Sequence, residues 1–183
     1  LQDVADVVGQ LLDKSLITLD RSSDEPRYRL LESIRAYAAE RLAESGEALA
    51  TGSRHLAWCH DLALDSAADL AGHRQVEILD RLELEHDNLR TAMYWAVGEG
   101  GEGVRGLELA VALMPFWEVR GYVAEGRRWI DGARVAAHGA DPELVVRSLL
   151  ASGELAQAER DFGAARPAYD GALGLARQLG DRG

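Results

Sequence analysis

The chain has 183 residues, with 31 acidic and 20 basic side chains that give a formal net charge of −11. A chain of this charge repels phosphate backbones, so extensive nucleic-acid binding is not expected. Hydrophobic residues make up 47% of the sequence, a proportion that excludes global disorder. The single cysteine, Cys59, has no partner for an internal disulfide, which favours a cytoplasmic protein.

The start of the chain and its hydropathy pattern indicate whether it crosses a membrane and whether it is part of a longer protein. The longest apolar stretch, residues 110–117, is too short to span a bilayer, and no signal peptide opens the chain. The sequence begins inside a helical pattern and without an initiator methionine. We therefore expect part of a longer protein that does not associate with a membrane.

The first fifty residues predict a helix, a β-hairpin and a second helix. Apolar residues recur at helical spacing over residues 1–12, whereas residues 15–19 are apolar and rich in β-formers. Residues 27–30 alternate polar and apolar side chains, as a half-buried strand does. Helical spacing returns over residues 32–44. Because a two-stranded hairpin is marginal alone, it must pack on these helices. The order predicts the C-terminal part of a winged helix over residues 1–50.

From residue 53 onward the sequence carries only helical signals. The predicted helices cover residues 54–70, 74–97, 104–120, 123–137, 142–160 and 164–179. Pro115 should bend the third of these helices or end it early, since proline cannot donate the backbone hydrogen bond. We predict a mainly α fold, in which a partial winged helix with a small β-hairpin precedes an α-helical repeat domain over residues 51–183.

The last two helix pairs repeat at an offset of 39 residues. The superposed positions are Gly126 with Ala165, Ile130 with Tyr169, and Ala133 with Ala172. Small, large and small side chains at this spacing suit a helix that approaches its neighbour twice. Because one helix pair cannot bury its apolar stripe alone, such pairs stack on one another.

The second copy resembles the tetratricopeptide repeat (TPR). The matching positions are Gly153 in the first helix, Asp161 and Phe162 in the turn, and Ala165, Tyr169 and Ala172 in the second helix. In the first copy, Leu113 and Trp117 match core positions of the first helix, and Met114 stands where the motif prefers glycine. A loop about five residues longer than the TPR norm separates the copies. The resemblance implies a TPR-like superhelix.

Three further segments resemble bacterial NB-ARC (STAND-type) ATPase regulators. They are residues 27–38 (RYRLLESIRAYA), 85–90 (EHDNLR) and 125–129 (EGRRW). The family includes LuxR-type and antibiotic-regulatory (SARP-type) transcriptional regulators. The resemblance implies a multidomain signal-transduction protein, in which a nucleotide-binding ATPase is followed by a winged helix and a TPR sensor arm. This chain would hold the last two parts.

In that family the winged helix often supplies a Met-His-Asp triplet, whose histidine contacts the phosphate of a bound nucleotide. Aligning on Arg35 and Tyr37 places residues 30–32 at the triplet. Leu31 then stands in place of the histidine, and Glu32 is the remaining acidic match. The resemblance therefore does not carry phosphate sensing over to this segment.

The glycines at 101, 103 and 106 have the spacing of a dinucleotide-binding fingerprint. That fingerprint needs a preceding strand and a pyrophosphate at a helix N-terminus. Here the preceding segment is helical, and Glu99 and Glu102 repel phosphate. We expect an interhelical loop and no bound cofactor.

Metal binding is not predicted either. His86 and Asp87, with Glu83 a turn earlier, lack the histidine pair at i and i+4 that zinc sites on helices use. His55 and His60 are five residues apart and do not share a face. Residues 83–87 are therefore interpreted as ion-paired or capping residues on the surface.

Nucleophilic catalysis is not predicted. Cys59 lies on the apolar stripe of its helix and should be buried, and the adjacent His60 points away from it. No Gly-x-Ser-x-Gly, Walker loop or carboxylate pair is evident. Catalytic residues are therefore expected to be absent, and the chain is not expected to be an enzyme.

A DNA-contacting winged helix is an alternative. The first fifty residues are net acidic, and the first helix offers Asp3 and Asp6 rather than basic side chains. This composition favours a structural or regulatory winged helix.

Four tryptophans lie on helix faces with Leu, Ile or Ala: Trp58, Trp95, Trp117 and Trp129. Most are expected in the core, with one lining a groove. In TPR register, the residues facing the concave side are Glu108, Glu118, Arg147, Glu154 and Gln157. We predict that they bind a protein or peptide partner.

The sequence thus predicts a non-catalytic regulatory, sensor and protein-interaction region. The family resemblance implies that this arm holds the ATPase domain of its own chain inactive until a partner or a small-molecule inducer engages it. A small-molecule receptor with a pocket between helices is a further alternative.

Overall fold

The computed structural model describes residues 2–20, 26–70 and 72–180. The helices are α1 (Gln2–Asp13), α2 (Glu32–Ser45), α3 (Ala48–Asp69), α4 (Gln75–Leu84), α5 (His86–Val97), α6 (Gly103–Ala112), α7 (Met114–Arg120), α8 (Val123–Ala136), α9 (Pro142–Ala158) and α10 (Phe162–Gly180). Two strands, β1 (Ile17–Asp20) and β2 (Arg27–Leu30), form an antiparallel hairpin. The predicted mainly α fold with a small β-hairpin is confirmed.

The chain forms two compact units, Leu1–Leu49 and Ala50–Gly183. In the first unit, α1 ends in a tight turn in which Leu16 N donates to the carbonyl of Leu11. Ser15 adopts a left-handed conformation there, with φ of +56°. A left-handed residue cannot be part of a strand, so β1 begins two residues later than predicted. Residues 21–25 of the predicted polar run lie outside the described residues.

The first unit buries little apolar surface. Within its described part, Ile17 is the one buried hydrophobic residue, and α2 has no buried side chain. Gly46, with φ of +77°, ends α2 in the left-handed conformation that glycine adopts without strain. The identity of this unit as part of a winged helix stays a prediction.

The second unit is built from helices that pack on their neighbours in turn. α8 packs on α5 and α6, and α9 packs on α8 and α10. The largest fully buried side chains are Trp117, Phe116, Leu56, Leu82, Leu89, Met93, Leu107, Leu109, Leu113, Ile130 and Leu155. Among the described residues, no helix combines the length and hydrophobicity that a bilayer crossing requires.

Three helix boundaries can be compared with the sequence prediction. The break predicted from Pro115 is confirmed, because α6 ends at Ala112 and Pro115 lies in the first turn of α7. The single helix predicted over residues 74–97 is wrong, because the chain leaves α4 at Glu85 and restarts as α5. No glycine or proline marks that break, and the apolar stripe continues across it. α3 begins at Ala48, six residues earlier than predicted.

Two glycines allow close packing within the repeat region. A Cβ on Gly126 of α8 would lie 2.4 Å from the Trp117 ring of α7, and one on Gly153 of α9 would lie 2.8 Å from the Tyr169 ring of α10. Each glycine therefore lets a large side chain of a neighbouring helix reach the backbone. The assignment of these pairs to the TPR class stays a prediction.

The tryptophans follow the prediction with one exception. Trp117 is fully buried, and Trp95 and Trp129 are half-buried against the core. Trp58 is 47% exposed, and its ring stacks at 6.4 Å from His55. Trp58 is therefore the one of the four that lies outside the core, because its face of α3 turns away from the buried residues.

Candidate functional site

Two of the segments identified in the sequence, 85–90 and 125–129, meet between α5 and α8. Arg90 Nε and Nη2 donate hydrogen bonds to Glu125 Oε1 and Oε2, each at 2.6 Å. Arg90 Nη1 also donates to Asp87 Oδ1 at 3.1 Å. This bidentate pairing is the strong form of an arginine–carboxylate contact, because two N–H groups match two carboxylate oxygens. The Glu125 side chain is 16% exposed, so this carboxylate lies largely out of water.

The Arg90–Glu125 pair keeps both side chains charged. Hydrogen bonding from Arg90 holds the pKa of Glu125 below its ordinary value, and hydrogen bonding to Glu125 raises the pKa of Arg90. Trp129 Nε1 donates a further hydrogen bond of 3.3 Å to Glu125 Oε1. Glu125 is therefore an ionised acceptor with fixed donors, which is a structural arrangement and not that of a general acid or base.

His86 lies in the core beside this pair. Its ring is 5.1 Å from the Phe116 ring, edge-on, and 4.5 Å from the Tyr122 ring. Burial, followed by the charge of Arg90, lowers the pKa of His86. Its Nε2 lies 3.5 Å from Glu125 Oε1 and forms no hydrogen bond. The expectation that His86 is a surface residue is wrong, because the break before α5 turns the imidazole inward as a neutral ring.

Further polar contacts connect α4 to α7 and α8. The Tyr122 hydroxyl donates to Glu83 Oε1 at 2.6 Å, which raises the pKa of Tyr122. Arg120 pairs with Asp80 and approaches Glu83 at 3.9 Å. In the described part of the chain, no three His, Cys, Asp or Glu side chains cluster closely enough to hold a metal ion.

A cleft of about 410 Å³ opens beside this network, between α5 and α8. Its lining residues are Arg90, Tyr94, Val97, Glu125, Arg128, Trp129 and Gly132. The rings of Tyr94 and Trp129 meet at right angles, with centroids 4.7 Å apart. The α5/α8 cleft, defined by these seven residues, thus joins aromatic surface to charged groups, and it is the candidate binding site.

Three of the residues predicted for partner binding lie near one another on α7 and α9. Partial burial raises the pKa of Glu154, and the negative charge of Glu118 adds to this effect. Gln157, one turn after Glu154, accepts a hydrogen bond of 3.2 Å from the Tyr169 hydroxyl. Arg147 is exposed on the same helix, two turns before Glu154.

The fifth predicted residue, Glu108, has a different neighbourhood. Its Oε2 lies 3.0 Å from Nε2 of His60 on α3. It lines a second cleft of about 400 Å³ with Arg105 and His138. No described contact connects Glu108 to the acidic pair on α7 and α9.

The glycines of the apparent dinucleotide fingerprint serve helix packing. A Cβ on Gly103, at the start of α6, would lie 2.3 Å from the Ala136 carbonyl oxygen. A Cβ on Gly106 would lie 2.9 Å from the Cβ of Ala96. α5 and not a strand precedes this segment; Gly101 lies in the predicted interhelical loop, whereas Gly103 and Gly106 belong to α6.

Cys59 is fully buried, as predicted, but it has a neighbour that the sequence reading missed. His55, one turn earlier on α3, places Nε2 3.7 Å from Cys59 Sγ. Burial raises the pKa of the Cys59 thiol to about 12, and burial lowers the pKa of His55. The thiol therefore stays protonated and donates to the Asn88 carbonyl at 3.6 Å, which is a structural role.

Leu31 and Glu32 lie where α2 begins. Leu31 is 53% exposed and precedes the helix, and it offers no side-chain donor for a phosphate. Glu32 accepts a hydrogen bond of 2.6 Å from Arg35. The histidine role of the family triplet thus has no chemical equivalent at this position.

Comparison with known proteins finds three relatives, which all carry the same description. Over 130 residues, 70% of this chain, the sequence is 41% identical to proteins named "Putative HTH-type transcriptional regulator" from Mycobacterium bovis and from two strains of Mycobacterium tuberculosis. The aligned segment spans 14% of the length of these curated relatives. No protein-family model matches the chain. No solved structure matches it either.

Proposed function

We propose that this chain is a non-catalytic regulatory and protein-interaction region of a longer, cytoplasmic transcriptional regulator. The observation that carries the proposal is the 41% identity, over 70% of the chain, to proteins named as HTH-type transcriptional regulators. Those relatives are about seven times longer than the aligned segment, as its 14% share implies. A segment of this size in such a protein is one part of a multidomain chain.

The finer proposal is that the regulator is an NB-ARC (STAND-type) ATPase and that this chain supplies its winged helix and TPR-like arm. The resemblance in residues 27–38, 85–90 and 125–129 supports it. Two of these segments join through the Arg90–Glu125 pair. They therefore belong to one packed unit of the fold, which fits a shared origin with that family.

The proposed partner surface is the face of α7 and α9 that carries Glu118, Glu154 and Gln157. The two carboxylates disfavour each other, since the charge of Glu118 helps raise the pKa of Glu154. A cationic group of a partner placed between them would relieve that repulsion. The proposed partner is a protein or peptide with such a group, most simply the ATPase domain of the same chain.

Regulation then follows from binding preference. If the arm binds the ATPase domain more tightly in one nucleotide state, it shifts the equilibrium toward that state by the difference in binding free energy. An inducer that competes for the arm releases the domain.

Calorimetric titration of this chain against the nucleotide-binding domain, with ADP and then with ATP, tests the proposal. We expect binding that depends on the nucleotide and that weakens in the double variant Glu118→Gln/Glu154→Gln. The matched control is Glu99→Gln/Glu143→Gln, which removes two exposed carboxylates elsewhere on the same unit. Absence of binding with both nucleotides would overturn the intramolecular arm and leave an external partner.

A further inference from the structure

The α5/α8 cleft has one rigid, charged wall. Arg90 is held by both oxygens of Glu125 and by Asp87, so its guanidinium has little freedom to move. A bound ligand would therefore meet a wall that is already ordered, which lowers the entropy lost on binding.

Next to this pair, the lining of the cleft is aromatic. The Trp129 ring is oriented by its Nε1 hydrogen bond to Glu125, and it meets the Tyr94 ring at right angles. Tyr94 is 69% exposed, so its ring is available to a ligand. An exposed tyrosine ring beside an oriented tryptophan ring suits a flat aromatic group, because aromatic rings prefer stacked or edge-to-face contacts.

The cleft also holds polar groups without partners. In the structure as described, the Arg128 guanidinium forms no ion pair and the Tyr94 hydroxyl forms no hydrogen bond. Both side chains are exposed. Of the two arginines in the lining, Arg90 is occupied by Glu125 and Asp87, whereas Arg128 is free to pair with an anion.

The size of the cleft points to a small ligand. Its volume of about 410 Å³ lies within the range of roughly 300–1,000 Å³ that is typical of small-molecule sites. At Gly132, one of the lining residues, an added Cβ would have no atom within 4 Å. Space remains beside α8 for a ligand ring.

We propose that the α5/α8 cleft binds a small aromatic carboxylate. The aromatic ring lies against Tyr94 and Trp129, and the carboxylate accepts hydrogen bonds from Arg128 and from the Tyr94 hydroxyl. The ligand would be the inducer to which the proposed regulatory region responds, and to that extent the inference rests on the proposed function. The site itself is separate from the partner face on α7 and α9.

The test is calorimetric titration of this chain with indole-3-acetate, without any partner domain. We expect saturable one-to-one binding. Indole-3-acetamide, which has the same ring but no charge, should bind about tenfold more weakly, the effect of losing one charge-assisted hydrogen-bonding group.

Two pairs of variants locate the binding. Gly132→Leu fills the cleft and should abolish binding, whereas Gly174→Leu, at an exposed and open glycine of α10, should leave it unchanged. Arg128→Gln should weaken binding about tenfold, whereas Arg177→Gln, at an exposed arginine of α10, should not. Thermal unfolding of all four variants shows whether any of the substitutions acts through a loss of folding.

Absence of binding at millimolar indole-3-acetate would overturn the inference, as would binding that Gly132→Leu and Arg128→Gln leave intact. Equal binding of the acid and the amide would overturn the assignment of Arg128 as the carboxylate partner. None of these results depends on the ATPase domain, so failure here is distinguishable from failure of the proposed function.

Discussion

Two glycines on α8 should respond in opposite directions to the same substitution. At Gly132, a new Cβ meets no atom within 4 Å. Gly132→Ala should therefore stabilise the chain by about 0.5–1 kcal/mol, because alanine loses less conformational entropy in a helix than glycine does. At Gly126, a Cβ would lie 2.4, 2.6 and 2.9 Å from three atoms of Trp117.

The Gly126 contact outweighs the gain in helix propensity. Trp117 is fully buried, so its ring cannot move into solvent to make room. Overpacking of this kind costs roughly 1–3 kcal/mol, and three contacts below 3.0 Å favour the upper half of that range. After subtracting about 1 kcal/mol for propensity, Gly126→Ala should destabilise by about 1–2 kcal/mol.

Urea unfolding followed by tryptophan fluorescence measures both effects. All four tryptophans lie in the second unit, so the signal reports the unit that contains α8. In a thermal unfolding experiment on the same variants, the melting temperature should change by about 2–4 °C for each kcal/mol of change in stability. Equal stabilisation by both substitutions would refute the packing of Trp117 against Gly126.

Three further predictions concern titratable groups. Glu125→Gln should destabilise by about 1–3 kcal/mol at pH 7, since Arg90 loses the less exposed of its two carboxylate acceptors. Because folding lowers the pKa of Glu125, this loss of stability, measured in urea titrations, should shrink as the pH falls below about 4.5. His86→Phe should reduce the fall in stability between about pH 6.5 and pH 5, because the lowered pKa of His86 makes the unfolded state bind the extra proton. Cys59, with its pKa raised to about 12, should react with a thiol reagent at pH 8 at least about a hundredfold more slowly in the folded than in the unfolded chain.

Each of these has a contradicting result. A Glu125→Gln variant as stable as the parent at pH 7 would show that the Arg90 pair contributes nothing. An unchanged pH profile after His86→Phe would place the responsible proton elsewhere. Rapid labelling of Cys59 in the folded chain would contradict its burial.

Local signals explain why much of the fold is readable from the sequence. α9 begins where Asp141 precedes Pro142, and the Asp141 carboxylate accepts a hydrogen bond of 2.7 Å from the Glu143 backbone. Pro115 marks the break between α6 and α7. Proline and capping side chains act within one turn, so their effect does not depend on the rest of the molecule.

Features that depend on tertiary packing could not be predicted from the sequence. The break at Glu85 carries no glycine or proline, and the burial of His86 depends on the rings of Phe116 and Tyr122, some thirty residues away. The exposure of Trp58, by contrast, has a local signal, since Arg54, His55 and Asp61 lie one turn away from it on α3.

The sequence predicted separate segments of the candidate site but not the contact between them. Segments 85–90 and 125–129 stand out in the sequence, but their contact through Arg90 and Glu125 spans 35 residues. A single sequence holds no information on which distant residues touch. The unpaired state of Arg128 is likewise a property of the folded surface.

The Arg90–Glu125 contact constrains how such sequences can change. Loss of Glu125 would leave Arg90 with the single, exposed carboxylate of Asp87, and loss of Arg90 would leave a largely buried anion. Either single replacement is costlier than replacing both together. Over evolutionary time the two positions should therefore be retained as a pair or exchanged as a pair, and diverging descendants should show correlated substitutions there.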